Sequence, residues 1–255
     1  MVKLGLIATA LGFLGLAANT AALPHFQTRQ DQYADASAMT VKIMPFGASI
    51  VQTTCWRAML WKQLQDGGIT NFDFVGSQNG PTTCNIPGAD LDNEGHSGAK
   101  ATEYASNGKL VGWLQNTKPG MILVHVGTND AVARTNTSEI IKAYDTLLGQ
   151  MRASNPNMVI VMSKLIPIDP ALFGADVSQG IVNLNAAIDP WVKKNQSQKS
   201  PIVVVDMYTG FDYKTMTKEG EHPNAKGDAF MANRFFSAVK DALVVSTVSM
   251  LLENE

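Results

Sequence analysis

The sequence is poor in residues on which several protein classes depend. Its 255 residues include 2 cysteines and 4 histidines, and Asp, Glu, Lys and Arg together make up only 16%. The formal net charge is −2, and lysine and arginine form no cluster. Nucleic acids and anionic membranes are bound through such clusters, so neither is an expected partner. Because 45% of the residues are hydrophobic, the chain can bury a sizeable core.

Long apolar runs are missing except near the N-terminus. There, Lys3 precedes an apolar run of about 15 residues, Leu4 to Ala18, and small residues follow at Thr20–Ala22. The run is shorter than the ~20 residues that span a bilayer. This pattern predicts a secretory signal peptide over residues 1–22, with a membrane anchor as the alternative.

The rest of the chain has the features expected of an exported protein. Residues 23–39 are polar and aperiodic, which predicts a flexible leader, and residues 40–255 are expected to form a single domain. Asn136 and Asn195 each begin an Asn-x-Ser/Thr glycosylation signal. We therefore expect a secreted, extracellular glycoprotein that is a monomer and has no membrane partner once the signal peptide is removed.

The two cysteines, Cys55 and Cys84, are predicted to form a disulfide, because an exported chain meets an oxidising compartment. Closing a loop of this size contributes about 3 to 4 kcal/mol in the chain-entropy model. Two free buried thiols are the alternative.

Apolar runs alternate with helical patterns along the chain, which predicts a parallel sheet between two helical layers. Strands are predicted at VKIM (41–44), FDFVG (72–76), MILVHVG (121–127), MVIVMSKLI (158–166) and IVVVDM (202–207). Helices are predicted from Trp56 to Gly67, over 101–115 and 138–153, over 177–194 with a break or kink at Pro190, and over about 224–243. Trp56 and Trp61 are interpreted as packing residues. The fold class is therefore α/β, a three-layer α/β/α sandwich with a five-stranded parallel sheet.

Four polar segments lie at strand exits or just before a helix. They are GAS (47–49), NEGHSG (93–98), GTND (127–130) and EGEHPN (219–224). Ligands of such sheets bind beyond the carboxyl ends of the strands, so we expect the segments to meet there.

The side chains of these segments fit the chemistry of acyl transfer. A serine hydroxyl needs a base and a group that orients the base. Ser49 is the candidate nucleophile, His222 the base and Glu219 the orienting carboxylate. The negative charge that develops on the substrate oxygen needs hydrogen-bond donors. The backbone N–H groups of Ser49 and Gly98 and the side-chain amide of Asn129 can supply them.

These segments resemble the consensus blocks of the SGNH, or GDSL, hydrolase superfamily over roughly residues 41–243. The resemblance implies a flavodoxin-like sheet, no cofactor, Ser49 as nucleophile, His222 as base, and Gly98 and Asn129 as oxyanion donors. Two positions depart from the usual blocks, because Ala48 and Glu219 stand where aspartates are usual. The second departure leaves open a Ser–His dyad, with His222 oriented by another group.

The strings IMPFGAS, DNEGHSG, VHVGTND and EHPN are most similar to carbohydrate esterase family 3, which implies removal of acetyl groups from xylan. We therefore expect a secreted esterase that acts on acetylated plant cell-wall polysaccharide. Esterases acting on other acetylated glycans, small esters or lipids are alternatives, as is a non-catalytic carbohydrate-binding relative.

Each residue also has a structural interpretation. Ser49 and His222 are possible helix caps, and Gly98 and Asn129 possible turn residues. His96, His125, Asp92 and Asp130 do not have the spacing of a compact metal site, and no metal is expected. Instead, His125 is predicted to pack inside the sheet and His96 to line the cleft.

Overall fold

A sheet in which most strands are parallel forms the centre of the computed structural model, which describes residues 40–253. The predicted signal peptide (1–22) and leader (23–39) lie outside the described residues. All five predicted strands are present, although their ends differ by a few residues. The strands are β1 (Val41–Gly47), β2 (Phe72–Phe74), β3 (Gln78–Asn79), β4 (Asp92–Gly95), β5 (Met121–His125), β6 (Val159–Ser163) and β7 (Ile202–Val205).

The predicted parallel sheet is confirmed as a mostly parallel one, but the predicted number of five strands was wrong. The sheet has seven strands in the order β3-β4-β1-β5-β6-β7, with β2 also paired to β1. The additional strands, β3 and β4, pair antiparallel with each other. They are short and polar, with sequences QN and DNEG, so they carry no apolar period. β2 pairs with the first half of β1, and β4 pairs with its last two residues on the same edge.

All five predicted helices are present, and shorter helices join them. The helices are α1 (Ser49–Gln52), α2 (Trp56–Asp66), α3 (Ala101–Asn107), α4 (Lys109–Thr117), α5 (Thr128–Val132), α6 (Thr137–Ser154), α7 (Pro170–Phe173), α8 (Ala175–Asn195), α9 (Tyr213–Met216) and α10 (Ala225–Glu253). Within the described part of the chain, none of them is long and apolar enough to cross a membrane.

Two details of the helix prediction differ in the structure. The helix predicted over 101–115 is divided at Gly108, which has a left-handed backbone with φ of 67°. The break considered at Pro190 is absent, because helix α8 continues through Pro190 to Asn195, and the alternative of a kink there stays a prediction. Pro190 and Ala186, whose carbonyl loses its helical partner, are both exposed, so water can hydrate that carbonyl.

The helices cover both faces of the sheet, which confirms the three-layer α/β/α sandwich. Met44 and Phe46 of β1 pack among residues of α3, α4, α6 and α8, whereas Ile43 packs among residues of α1, α2 and α10. This alternation follows from the two-residue period of a strand.

Helices α2 and α10 pack against each other on one face of the sheet. Trp56 of α2 is fully buried and stacks on Phe235 of α10, with ring centroids 4.7 Å apart. Trp61 packs partly buried against the same cluster, so both tryptophans are packing residues as predicted. The predicted disulfide between Cys55 and Cys84 is present just before α2.

Candidate active site

Three of the four predicted segments meet at the carboxyl end of the sheet. Gly47, the last residue of β1, pairs with the last residue of β4 on one side and of β5 on the other. The loops that follow these strands carry Ser49, Gly98 and Asn129, and all three residues line one open cleft. The expectation that this edge gathers the polar segments is therefore confirmed for these residues.

Ser49, His222 and Glu219 form a continuous chain of hydrogen bonds. The Ser49 hydroxyl oxygen lies 2.8 Å from Nε2 of His222. Nδ1 of His222 is hydrogen-bonded to Oε1 of Glu219, which also accepts from the His222 backbone N–H at 3.2 Å. A carboxylate beside Nδ1 keeps the proton there, so Nε2 of the neutral ring is free to accept the Ser49 proton. Ala48 takes the N-cap position of α1, so the interpretation of Ser49 as a helix cap was wrong.

His222 lies in a tight loop, which we call the His222 loop (residues 217–224). The Lys218 N–H donates to the His222 carbonyl oxygen at 2.8 Å and closes the loop on itself. Asn224 accepts from the Lys226 N–H at 2.9 Å and so caps α10. The interpretation of His222 as that cap was therefore wrong, and its side chain faces the cleft instead.

The packing of α10 on α2 explains how the His222 loop reaches Ser49. Asp228, in the first turn of α10, is buried and accepts from the Trp56 N–H at the start of α2 at 3.1 Å. Burial raises the pKa of Asp228 to about 6. Ser49 lies seven residues before the first residue of α2, and His222 lies three residues before the first residue of α10. Joining the two helix starts therefore brings the segments that carry the two side chains close together.

The segment that follows β4 forms a second tight loop, the Gly98 loop (residues 95–99). Gly98 has a φ of 80°, a conformation that other residues rarely adopt. The Ala99 N–H donates to the His96 carbonyl at 3.1 Å, and the Asn129 side-chain amide donates to the Ala99 carbonyl at 3.0 Å. The Gly98 N–H has no partner among the described residues. Gly98 is thus a turn residue, as one interpretation had it, and it also offers a free donor at the cleft.

The cleft itself is open, about 560 Å³ in volume, and lined by polar residues and glycine. Its lining residues are Ser49, Thr53, Ser97, Gly98, Asn129, Lys218, Glu219, Glu221 and His222. Sequence reasoning missed Thr53, Ser97, Lys218 and Glu221. These residue types are common on protein surfaces. In the sequence, only their positions, within the four polar segments or a few residues away, could have indicated a role. Burial raises the pKa of the Glu221 carboxyl, with His222 acting in the opposite direction and Glu219 adding to the rise.

The four residues considered as metal ligands each have a different neighbour. The side-chain pairs are His96 with Glu94, His125 with Ser163, Asp92 with Asn79, and Asp130 with Thr102. The prediction that His125 packs inside the sheet is confirmed, and burial lowers its pKa to about 4. His96 is not among the residues that line the cleft; it stacks on Trp113, with ring centroids 4.6 Å apart.

One group in the described part of the chain brings potential metal-ligand atoms within 4.8 Å of one another, namely Glu219, Glu221 and His222. Both ring nitrogens of His222 are already hydrogen-bonded, to Glu219 and Ser49. Neither ring nitrogen is therefore left free to bind a metal in this arrangement.

Comparison with known proteins agrees with this fold and site. Residues 46–230 match the profile of the GDSL-like Lipase/Acylhydrolase family. The chain is similar to the crystal structure of an acetyl esterase mutant with an acetate ion, with 36% identity and a TM-score of 0.74 over 80% of this chain and 98% of that one. A carbohydrate esterase family 3 from Talaromyces cellulolyticus is 37% identical, with the same TM-score and coverage. The Clostridium thermocellum family 3 carbohydrate esterase is 27% identical, with a TM-score of 0.67 over 80% of this chain and 97% of that one.

No curated protein matches the chain in sequence. The three-layer fold, the polar cleft and these similarities define a carboxylic ester hydrolase. The chain belongs to the GDSL-like lipase/acylhydrolase family, since the matched residues 46–230 include all four polar segments.

Proposed function

We propose that this enzyme is a secreted serine esterase that removes acetyl groups from plant cell-wall polysaccharide, with acetylated xylan as the favoured substrate. One observation carries the proposal. The hydrogen-bonded chain of Ser49, His222 and Glu219 opens into a cleft whose lining, in the described part of the chain, consists of polar residues and glycine.

The first half of the reaction transfers the acetyl group to the enzyme. The Ser49 oxygen attacks the ester carbonyl carbon while its proton passes to Nε2 of His222. Glu219 holds the proton on Nδ1 and stabilises the imidazolium that forms. When the tetrahedral intermediate collapses, the sugar oxygen takes the proton from Nε2 and leaves as an alcohol, and an acetyl ester remains on Ser49.

The second half reverses these roles with water as the nucleophile. His222 takes a proton from a water molecule, whose oxygen attacks the acetyl carbon on Ser49. Collapse of this intermediate returns the proton to the Ser49 oxygen and releases acetate. The net reaction consumes one ester and one water, and it needs no cofactor.

Both tetrahedral intermediates carry a negative oxygen that needs donors already in place. We assign this role to the N–H groups of Gly98 and Ser49 and to the amide of Asn129. The Gly98 N–H has no partner among residues 40–253, and the hydrogen bond to Ala99 fixes the direction of the Asn129 amide. Removing one donor of this kind costs about 2.7 to 4 kcal/mol in enzymes where it has been measured.

The lining of the cleft favours a small acyl group on a polar alcohol. A long acyl chain needs apolar surface in order to leave water favourably, and the residues that line this cleft are polar or glycine. Hydroxyl, amide and carboxylate groups instead suit sugar hydroxyls, which both donate and accept. The structural relatives described as an acetyl esterase and as family 3 carbohydrate esterases support the same choice. A lipid esterase would need apolar side chains around the acyl group, and the described residues that line this cleft include none.

A secreted, monomeric enzyme is part of the proposal. The predicted signal peptide over residues 1–22 and the Cys55–Cys84 disulfide support export. Of the two proposed glycosylation sites, Asn136 is exposed at the start of α6. Asn195 is half-buried, and its amide donates to the Trp191 carbonyl at 3.0 Å. We therefore expect Asn136 to be the more readily modified site.

A substrate panel tests the proposal. Initial rates are compared on acetylated xylan, acetylated pectin, a short-chain nitrophenyl ester and a long-chain triglyceride. We expect acetylated xylan to be preferred and the triglyceride to be inert. A preference for the triglyceride would contradict the polysaccharide assignment, and inactivity on every ester would favour the non-catalytic alternative.

A further inference from the structure

The helix that carries Ser49 is joined directly to the Gly98 loop by one side chain, that of Gln52. Oε1 of Gln52 accepts from the Ser97 backbone N–H at 2.9 Å and from the Ser97 hydroxyl at 2.6 Å. Nε2 of Gln52 donates to Oε1 of Gln78 at 3.1 Å. The residue before Gly98 is therefore tied to α1 by two hydrogen bonds.

These bonds constrain the donor that matters for the reaction. The Gly98 N–H belongs to the peptide plane between residues 97 and 98, and peptide planes are rigid. The peptide plane between residues 96 and 97 is held because its Ser97 N–H donates to Gln52. The peptide plane between residues 98 and 99 is held because its Ala99 N–H donates to the His96 carbonyl, at 3.1 Å. With both neighbouring planes fixed, the direction of the Gly98 N–H is fixed as well.

The backbone packing also brings Gln52 to this place. A Cβ atom on Gly95 would lie 2.5 Å from the backbone nitrogen of Gln52, so only glycine allows the end of β4 to approach α1 so closely. Gln52 lies three residues after Ser49 on α1. A movement of this short helix therefore displaces Ser49 and the anchor of the Gly98 loop together.

We propose that Gln52 is a positioning residue that holds the Gly98 N–H at a fixed place relative to Ser49 for stabilisation of the oxyanion. It acts through Ser97 and does not itself line the cleft. The inference rests on the proposed function, because it assigns the oxyanion role to Gly98. A misplaced donor weakens binding of the tetrahedral state more than binding of the ester, so the effect falls on kcat.

The test compares two substitutions of similar size in the full-length enzyme. Gln52→Met fills the same space but cannot accept the Ser97 bonds, whereas Gln52→Glu retains an acceptor oxygen for both. Gln78→Ala is the matched control, since it removes the bond to Nε2 of Gln52 and leaves the groups that make both Ser97 bonds in place. Steady-state kinetics with nitrophenyl acetate give kcat and KM, and thermal unfolding reports whether each variant is folded.

We expect Gln52→Met to lower kcat by about 10- to 100-fold with KM changed less than about threefold, as for a donor misplaced by a fraction of an ångström. Gln52→Glu should recover most of the loss, and Gln78→Ala should stay within about threefold of the native enzyme. A folded Gln52→Met with native kcat, a loss confined to KM, or equal losses in the Met and Glu variants would overturn the proposal.

If Gln52→Met fails to fold, Gln52→Ala replaces it, with the same outcomes. Failure of this inference is distinguishable from failure of the proposed function. A native enzyme without activity on any acetyl ester contradicts the function, whereas an active native enzyme that is indifferent to the change at Gln52 contradicts only the positioning role.

Discussion

Nε2 of His222 lies 2.8 Å from the hydroxyl oxygen of Ser49, although 173 positions separate the two residues in the chain. The contact depends on the packing of α10 against α2 and on the bond from the Trp56 N–H to Asp228. The predictions below test whether this contact and the groups around it act as proposed.

Glu219→Gln should lower kcat while leaving KM nearly unchanged. The amide can still accept from Nδ1–H of His222 but carries no charge to stabilise the imidazolium. Because the Glu219 side chain is 51% exposed, water compensates in part, and we expect a loss of about 10- to 1,000-fold. Steady-state kinetics with nitrophenyl acetate measure this loss of kcat. Near-native turnover would show that the alternative, a Ser49–His222 dyad, suffices.

Glu221→Gln should alter the choice of substrate more than the rate on a neutral one. Glu221 lines the cleft and makes no hydrogen bond to another described residue, so its charge faces an incoming glycan. A carboxylate there repels the uronate groups of pectin by about 1 kcal/mol, or about fivefold in relative kcat/KM. The ratio of rates on acetylated xylan and acetylated pectin should fall accordingly in the variant.

The control for this substitution is Glu139→Gln, an exposed carboxylate in the first turn of α6. It should leave the ratio unchanged, and added salt should reduce the native preference because exposed charges are screened. An unchanged ratio in Glu221→Gln would exclude a part for this carboxylate in substrate selection.

His125 should make the native state less stable as the pH falls. Burial lowers its pKa from 6.5 to about 4 in the folded protein, so between these values the unfolded chain binds a proton that the folded one does not. Stability from this group is complete above pH 6.5 and is lost as the pH falls towards 4, by about 3 kcal/mol in total.

The substitution His125→Asn isolates this contribution. Asparagine can still donate to the Ser163 hydroxyl, which bonds Nδ1 of His125 at 2.7 Å, but does not titrate in this range. Urea unfolding at pH 7 and pH 5 should show a smaller pH effect in the variant than in the native protein. Parallel pH profiles would mean that His125 contributes nothing. Burial raises the pKa of Asp228, so this group stabilises the native state as the pH falls, opposite to His125. Asp228 is present in both proteins, so its contribution cancels when their pH profiles are compared.

The main sheet and the candidate site could be predicted from the sequence because buried parallel strands are continuous apolar runs. Ser49 and Asn129 follow two such strands, β1 and β5, whereas Gly98 follows β4. β3 and β4 could not be predicted, because QN and DNEG have no apolar pattern. They form through pairing with neighbours, a tertiary effect that local sequence does not encode.

The supports of the site were harder to predict than its reactive groups. Gln52 and Asp228 are ordinary polar residues, and their importance comes from bonds to Ser97 and Trp56 that only the folded chain makes. The use of Glu219 in place of the usual aspartate was an open question in the sequence. Its contact with Nδ1 of His222 shows that the longer side chain reaches the ring.

The most direct test of the central claim is acetate release from acetylated xylan by the native enzyme and by Ser49→Ala. The account predicts that the native enzyme releases acetate and that the variant, which has no nucleophile, is slower by at least about 10,000-fold. Release at a comparable rate by Ser49→Ala, or none by the native enzyme on any acetyl ester, would contradict it.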